Sequence, residues 1–310
     1  MAHLALSKVA YILSLWLGVV ATSFALFHVV PTDPARTILG ANASEAQVAS
    51  LRHEMGLDRP LPVQFASYLS KVLSLEFGRS YVDGRPVGKE VKRKLAVTSA
   101  LASLSVAVIA LYVAAVIILE WRQSAPRVRA LLNFLCISSP TLFTSVVVAI
   151  AVVVYFPYNR FSGSLQVPGD WLFLVPPAVV LALYPMGILA GVARNQISLV
   201  RDADYVRAAC ARGLAEGTIL RTYVLRNSLM PLLATFGHQL PLLLTSTFIV
   251  EIVFSVPGIG ALLLKSVLER DLPMIEGIVV VTSLFTVLVS LLLEVLYPFI
   301  DPRVRRVHAT

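Results

Sequence analysis

The sequence predicts an all-α membrane protein with six transmembrane helices, and its composition and apolar runs support that prediction. Of the 310 residues, 57% are hydrophobic and only 14% are charged, whereas a soluble domain carries about 25% charged residues. The mean hydropathy of +0.79 agrees with this deficit. Apolar runs of about 20 residues recur along the chain, and in lipid the backbone of each run can satisfy its hydrogen bonds only as a helix. Residues 1–310 are therefore predicted to form a single transmembrane domain.

Six apolar runs are long enough to cross a bilayer as helices. The first exceeds the apolar core of about 7–15 residues found in a cleavable signal peptide, so a retained anchor is predicted. Pro231 suits the first turn of the fifth helix, where a missing N–H costs nothing. Pro140, Pro185 and Pro241 are predicted to kink their helices. The six runs are Val9–Val30, Leu95–Leu119, Ala130–Phe156, Trp171–Ala193, Leu229–Phe254 and Ile275–Ile300.

The segment between the first two runs, residues 31–94, predicts short helices rather than disordered chain. Ser44 with Gln47 has the pattern of a capping box, and Gly56 suits the left-handed end of the helix that they open. Apolar residues recur at helical spacing over residues 63–73. We expect these helices to lie at the outer mouth of the bundle, and the alternative is that they rest on the lipid surface.

The distribution of basic residues predicts the orientation in the membrane. Most arginines lie in the loops 120–129 and 194–228 and after the last apolar run, so the positive-inside rule places both termini in the cytoplasm. A basic cluster before the second run opposes this rule, but a translocated segment of about 65 residues largely escapes it. The net charge of +8 thus reflects membrane orientation rather than nucleic-acid binding. The opposing cluster consists of Lys89, Lys92, Arg93 and Lys94.

The loop between the fourth and fifth runs, residues 194–228, is too polar to span the bilayer and predicts two short helices joined at a glycine. Asp202 can cap the first helix, and Gly213 fits its left-handed end. The second helix is expected to start at a cap on Thr218 and to end near Asn227. The two helices would form a compact elbow that projects from the membrane.

One face of the first short helix in this elbow is apolar. Val206, Ala209 and Cys210 share that face, whereas Arg207 and Arg212 project elsewhere. Small alanines allow a partner's surface to approach closely, and arginines can pair with carboxylates on it. The elbow is therefore interpreted as a rigid docking handle. The alternative is a solvated loop whose arginines serve only to set the topology.

Polar residues inside the predicted third and fifth helices form a candidate substrate path. Such residues can line a hydrated path, but they also hydrogen-bond between helices, and both interpretations stay open. For the two intramembrane carboxylates, Glu251 and Glu294, a structural role is favoured because each lies within a few turns of a helix end. The candidate path residues are Ser138, Ser139, Thr141 and Ser145 in the third helix and His238, Gln239, Thr245 and Thr247 in the fifth.

The exit of the fifth predicted helix, Ser255–Gly260, carries one proline and two glycines. These residues break the helix and permit close backbone approach. The residues that follow, Ala261–Leu268, predict a short amphipathic helix at the membrane interface.

The sequence carries no recognised catalytic, metal-binding or nucleotide-binding motif. Cys136 lies in an apolar run and Cys210 in the arginine-rich loop, so a structural disulfide is not expected. The pair His53-Glu54 lacks the second histidine of a zinc-protease signature, and neither G-x-S-x-G nor G-x-x-x-x-G-K-[ST] occurs. The chain is therefore predicted not to be an enzyme and to hold no metal or cofactor of its own.

The elbow contains a sequence pattern found in a known family. It reads Tyr205-Val206-Arg207-Ala208-Ala209-Cys210-Ala211-Arg212-Gly213-Leu214, and then Leu225-Arg226-Asn227-Ser228-Leu229-Met230-Pro231. This pattern resembles the cytoplasmic EAA loop of ABC importer permeases of the dipeptide, oligopeptide and nickel class. Three further stretches are similar to the outer segment, the helix-five exit and the C-terminus of that class. They are Pro31–Ala35 with Met55–Gln64, Glu251–Gly260, and Tyr297–Arg303.

The resemblance implies a half-pore with the type I importer fold in the bacterial inner membrane. Its implied partners are a homologous second permease, two ATPase subunits that bind ATP and Mg, and an outer substrate-binding protein. A dipeptide, an oligopeptide, nickel or a metal chelate could be the substrate. The alternative is a secondary transporter or channel, but the inverted repeats it would require are not visible in the sequence. The implied ATPase-coupling residues are Tyr205, Arg207, Ala208, Ala209, Arg212, Gly213 and Leu214.

Overall fold

The structure is a computed structural model, and within the residues that it describes the chain is helical and forms no β-strand. The described residues are 13–25, 36, 39, 43–74, 76–123, 126–127, 131, 146–148, 150–151 and 170–300, apart from the side chains of 51, 54, 55, 170, 171 and 294–300. The all-α prediction is confirmed for this part of the chain.

From α5 to α10 the helices follow one another along the chain with short connections. A 3₁₀ turn, Asp170–Leu174, leads into α5, and a π-helical turn, Leu220–Leu225, joins α7 to α8. The helices are α1 Leu13–Ala25, α2 Glu45–Met55, α3 Leu61–Leu73, α4 Val87–Trp121, α5 Val175–Arg201, α6 Asp204–Ala211, α7 Glu216–Ile219, α8 Arg226–Val253, α9 Ile259–Leu268 and α10 Leu272–Ile300.

Four of the described helical segments are long and apolar enough to cross a membrane. They correspond to the predicted second, fourth, fifth and sixth runs. The first predicted run is represented by the shorter apolar helix α1, and the third, Ala130–Phe156, lies almost entirely outside the described residues. The count of six transmembrane helices therefore stays a prediction. The four segments are Val87–Trp121, Leu172–Arg201, Glu216–Val253 and Leu272–Leu293.

The chain divides into two compact units. One contains Met1–Ala96 and Leu262–Leu291, and the other contains Val97–Ala261 and Leu292–Thr310. The single transmembrane domain predicted for residues 1–310 stays a prediction.

In the first unit, an apolar core joins α1, α3 and α10. Side chains spaced four apart on α1 face this core, and the ring of Phe24 packs edge-on against Phe65 at 5.2 Å between centroids. The apolar face predicted for residues 63–73 is only partly buried, since Val63 is 47% and Leu73 is 68% exposed. The core residues are Trp16, Val20, Val72 and Val280.

Both ends of α2 have the predicted caps. The Ser44 side chain accepts a hydrogen bond from the Gln47 backbone N–H, and the Gln47 side chain accepts one from the Ser44 backbone N–H. At the other end Gly56 adopts φ 70°, the left-handed conformation that favours glycine. The capping box and the glycine end are thus confirmed.

A buried carboxylate holds the loop that precedes α4. Asp271 is 3% exposed, and it accepts hydrogen bonds from the Ser80 hydroxyl and, at 3.1 Å, from the Tyr81 backbone N–H. Burial and the nearby carboxylates of Glu276 and Asp271 raise the pKa of Tyr81 to about 12, so its phenol stays neutral at physiological pH. The loop is therefore anchored at the start of α10.

In the second unit, α5 and α8 pack along one another. Several buried residues of α5 are small, which allows two helices to approach closely without lipid between them. Pro185 and Pro241 lie inside their helices as expected, and Pro140 lies outside the described residues. The placement of Pro231 in a first turn is wrong, because the helix continues through it from Glu216. The buried small residues of α5 are Ala178, Ala182, Gly187, Ala190 and Ala193.

Candidate functional site

The predicted elbow begins where α5 ends. Asp202 occupies the C-cap of α5, so the prediction that it caps the next helix is wrong. The N-cap of α6 is Ala203, which has no side chain able to accept a hydrogen bond, and Asp204 places negative charge in the first turn instead. The sequence could not distinguish these two aspartates because α5 runs to Arg201, two turns beyond its apolar stretch.

Helix α6 buries a narrow face and exposes the rest. Val206 and Ala209 are 2% and 3% exposed, as the helical spacing predicted. Cys210 is exposed, so its assignment to the buried face is wrong. It lies at the edge of a face that is only two residues wide. Of the predicted coupling residues, those whose side chains are exposed to a partner are Tyr205, Arg207, Ala208, Arg212 and Leu214.

The end of α6 is a left-handed glycine, as predicted. Gly213 has φ 74°, its N–H donates to the Cys210 carbonyl at 3.0 Å, and the next N–H, of Leu214, donates to the Ala209 carbonyl at 3.3 Å. In the part of the chain that the structure describes, no atom beyond the two neighbouring residues lies within 4 Å of the position that a Cβ on Gly213 would take. Glycine is therefore favoured here by the backbone conformation and not by lack of space.

The second arm of the elbow is continuous with the long helix that follows. It begins after Ala215, not at a Thr218 cap, and it does not end near Asn227 as predicted, because α7, the π-helical turn and α8 form one segment from Glu216 to Val253. Ile219 and Val224 are its buried residues. Ile219 was not among the residues predicted from the sequence, although it stands beside Leu220 in an otherwise polar stretch.

Tyrosine and asparagine side chains join the two arms. The rings of Tyr205 and Tyr223 pack with their centroids 6.1 Å apart. The Asn227 side-chain amide donates to the Tyr223 carbonyl at 2.8 Å and to the Tyr205 hydroxyl at 3.4 Å. Because Tyr205 belongs to α6 and Asn227 to α8, these contacts fix the exposed helix to the start of the membrane-spanning one.

An ion pair at the base of the elbow connects α5 with the end of α4. Arg194 Nε lies 2.9 Å from Glu120 Oε1, and Arg201 stacks its guanidinium 5.8 Å from the ring centroid of Trp121. This ion pair was not predicted from the sequence. Glu120 is the sole acidic residue in the segment 120–129, which also holds three arginines, and that isolation could have indicated it.

We expect Glu120→Arg to lower the unfolding temperature of the detergent-solubilised protein by several degrees. The Glu120 side chain is only 13% exposed, so reversal places two partly buried cations together at a cost of about 2 kcal/mol. Arg194→Glu should have the same effect, and the double reversal should restore most of the loss. Reversing the exposed pair Lys265 and Glu269, 3.9 Å apart, should change little. Equal unfolding temperatures for all variants would contradict this account.

The candidate path residues in the fifth helix fall on two different faces. Gln239 and Thr247 are buried, whereas His238 and Thr245 are exposed, so the structure does not bring the four together. The Thr245 and Thr247 hydroxyls donate to carbonyls of their own helix. Within the described part of the chain the buried Gln239 Oε1 has no hydrogen-bond partner. Ser138, Ser139, Thr141 and Ser145, and also the Glu294 side chain, lie outside the described residues.

The Glu251 carboxylate is buried and hydrogen-bonded to residues of two other helices. It is 0% exposed and accepts hydrogen bonds from the Thr98 hydroxyl at 2.5 Å and from the Gly260 N–H at 2.6 Å. The Thr98 oxygen in turn accepts from the Ile259 N–H at 3.0 Å. The carboxylate thus lies at the N-terminus of α9, where the helix dipole stabilises a negative charge.

Two family models and a set of curated relatives match this chain. The model of the binding-protein-dependent transport system inner membrane component matches residues 107–306, and the model of its N-terminal region matches residues 1–102. A peptide transport system permease protein of Brucella abortus (strain 2308) is 34% identical over 98% of this chain and 99% of its own length.

Two other relatives are similar over nearly the same length. A peptide ABC transporter permease protein of Sinorhizobium fredii is 32% identical over 91% of this chain and 92% of its own. A glutathione transport system permease protein of Salmonella choleraesuis is 33% identical over 95% of this chain and 98% of its own. These matches include the elbow, the long helices and the segment before α4.

Proposed function

Because the chain belongs to the family of binding-protein-dependent transport system inner membrane components, we propose that it forms one half of the pore of a peptide importer. It is a multi-pass inner-membrane permease subunit of an ABC importer and not a catalytic enzyme. It works with ATPase and substrate-binding partners, as permeases of this family do. A secondary transporter or channel is not favoured, since the relatives are ABC transport permeases.

We propose that the elbow couples ATP hydrolysis by the partner subunits to movement of the pore helices. Arg207, Ala208 and Arg212 are exposed on α6, and Tyr205 and Asn227 tie this helix to α8. A partner ATPase that moves α6 would therefore move the membrane-spanning helix with it. We assign docking to the exposed members of the coupling set, Tyr205, Arg207, Ala208, Arg212 and Leu214. Ala209 and Gly213 serve instead to pack α6 and to end it.

The proposed assembly has two homologous permeases, each with six transmembrane helices, and two ATPase subunits that hold ATP and Mg. Both termini and the elbow are assigned to the cytoplasm, because the loops 120–129 and 194–228, together with the residues after the last apolar run, carry most of the arginines. Rigid-body closure of the ATPases would then open the pore to the outside, and hydrolysis would reset it.

The proposed substrates are peptides, and the relatives named for peptide and glutathione transport support this class. Nickel or a metal chelate is the second candidate of the wider class. His238 and Thr245 are exposed on α8, and a polar side chain facing lipid near the middle of a membrane helix is costly. We therefore assign this face to the second permease or to a hydrated path between the two.

Cross-linking tests the docking assignment. In a background with Cys136 and Cys210 replaced by serine, single cysteines at Arg207 and Arg212 should cross-link to the ATPase subunits. A cysteine at the exposed Leu264, in α9, should not. Absence of any ATPase adduct from both elbow positions would reject docking at α6. Labelling of a cysteine at Glu216 from outside intact cells would reject the orientation.

Uptake by the reconstituted complex tests the substrate class. Proteoliposomes that contain both permeases, the ATPases and the binding protein should accumulate radiolabelled dipeptide, oligopeptide or glutathione in an ATP-dependent manner. Nickel uptake without peptide uptake would replace the peptide assignment by the metal one.

A further inference from the structure

The exit of α8 contains a buried carboxylate whose contacts connect three helices. Glu251 of α8 accepts hydrogen bonds from Thr98 of α4 and from Gly260 at the start of α9. We propose that Glu251 is a positioning residue for transport: its carboxylate caps α9 and transfers the movement of α8 to α9 and α4. This inference rests on the proposed function, in which α8 is driven from the elbow.

The cap is built from groups that suit a buried charge. Carboxylates are costly to bury unless they are hydrogen-bonded, and Glu251 is 0% exposed. Its oxygens meet a hydroxyl at 2.5 Å and a backbone N–H at 2.6 Å, and that N–H belongs to the first turn of a helix of ten residues. A carboxylate at such a position satisfies an N–H that has no partner inside its own helix.

The chain reversal between α8 and α9 is closed around this carboxylate. After α8 ends, Ser255 takes the left-handed φ of 53°, and the Val256 N–H donates to the Glu251 carbonyl at 2.8 Å. A Cβ added to Gly258 would lie 2.2 Å from the carboxylate, so the backbone there is in direct contact with it. A Cβ added to Gly260 would lie 2.4 Å from the Phe248 Cα. These contacts therefore hold the chain reversal between α8 and α9 in one conformation.

The position of Glu251 on α8 gives the cap its role in transport. The same continuous segment, Glu216–Val253, carries the second arm of the elbow at its start and Glu251 near its end. Thr98 both donates to the carboxylate and accepts from the Ile259 N–H, so its hydroxyl closes the link between α4 and α9. Loss of the cap should separate the movement of α8 from that of the helices beside it.

Substitution of Thr98 tests this link with little change of shape. Thr98→Val keeps the volume and removes the hydroxyl, whereas Thr98→Ser keeps the hydroxyl. We expect Thr98→Val and Glu251→Gln to lower uptake per assembled complex at least fivefold, with ATP hydrolysis continuing, and Thr98→Ser to retain at least half of wild-type uptake. Ser105→Ala is the matched control, because Ser105 is equally buried on α4 but donates only to its own helix.

A spin label on Leu264 of α9, in the cysteine-free background, gives a readout that does not depend on transport. Its spectrum should show greater mobility in Thr98→Val and in Glu251→Gln than in wild type or in Ser105→Ala. Unchanged label mobility in both variants, or equal uptake by Thr98→Val and Thr98→Ser, would overturn the positioning role. If the wild-type complex moves no peptide, the proposed function fails, and the label mobility still decides whether Glu251 fixes α9.

Discussion

Replacing Gly213 with valine should lower peptide uptake at least tenfold while the subunits remain in the membrane at wild-type amounts. The residue has φ 74°, where a β-branched side chain is strained by about 1–2 kcal/mol or more. Relief of that strain requires a different end to α6, which changes the direction of the exposed Arg207 and Arg212. Uptake and membrane abundance, measured in the same cells, check this result.

Two control variants distinguish the effect of the backbone conformation at Gly213 from the effect of adding a side chain to the elbow. Gly213→Asn should retain much of the activity, because asparagine tolerates the left-handed region. Gly217→Ala should be close to wild type, since Gly217 does not have a positive φ and the added Cβ would meet no described atom within 4 Å outside the local backbone. Full uptake by Gly213→Val would show that the shape of the elbow does not matter for coupling.

Replacing Gly260 with alanine should destabilise the folded protein by about 3 kcal/mol or more. The added Cβ would lie 2.4 Å from the Phe248 Cα and 2.9 Å from the Phe248 carbonyl oxygen, and neither backbone atom can rotate away. Moving the backbone instead would pull the Gly260 N–H from the Glu251 carboxylate, 2.6 Å away. We expect a lower unfolding temperature in detergent and less protein in the membrane.

Gly191→Ala provides the matched control for that substitution. Gly191 lies inside α5, and apart from the backbone of its own helix no atom of the described residues lies within 4 Å of an added Cβ. Alanine is the better helix former by about 1 kcal/mol. Its unfolding temperature should equal or exceed that of wild type. Equal unfolding temperatures for Gly260→Ala and Gly191→Ala would contradict the close packing of Gly260 against Phe248.

Features that depend on neighbouring residues could be predicted from the sequence. The Ser44 capping box and the left-handed Gly56 and Gly213 are confirmed because each is set by residues within one turn. The positions of the long apolar helices were also predictable, since length and hydropathy alone decide whether a segment can span a bilayer.

Helix ends and tertiary partners were not predictable in the same way. The second arm of the elbow was expected to stop near Asn227, but burial of Ile219 and Val224 against the rest of the unit keeps it helical into α8. The roles of Asp202 and Cys210 were misassigned because they depend on where α5 ends and on how wide the packed face of α6 is. The Thr98 hydroxyl meets Glu251 across 153 residues of sequence, a contact that no local pattern reveals.

The uninterrupted length of the segment Glu216–Val253 has a mechanical consequence. At about 1.5 Å per residue, its 38 residues form a helical rod up to about 57 Å long, which contains the π-helical turn Leu220–Leu225 and the prolines Pro231 and Pro241. If such a rod pivots by about 5° around one tip, the opposite tip sweeps through about 5 Å, roughly one helical pitch. A small rotation imposed at the elbow end is therefore expected to displace the other end, near Glu251, by several ångström.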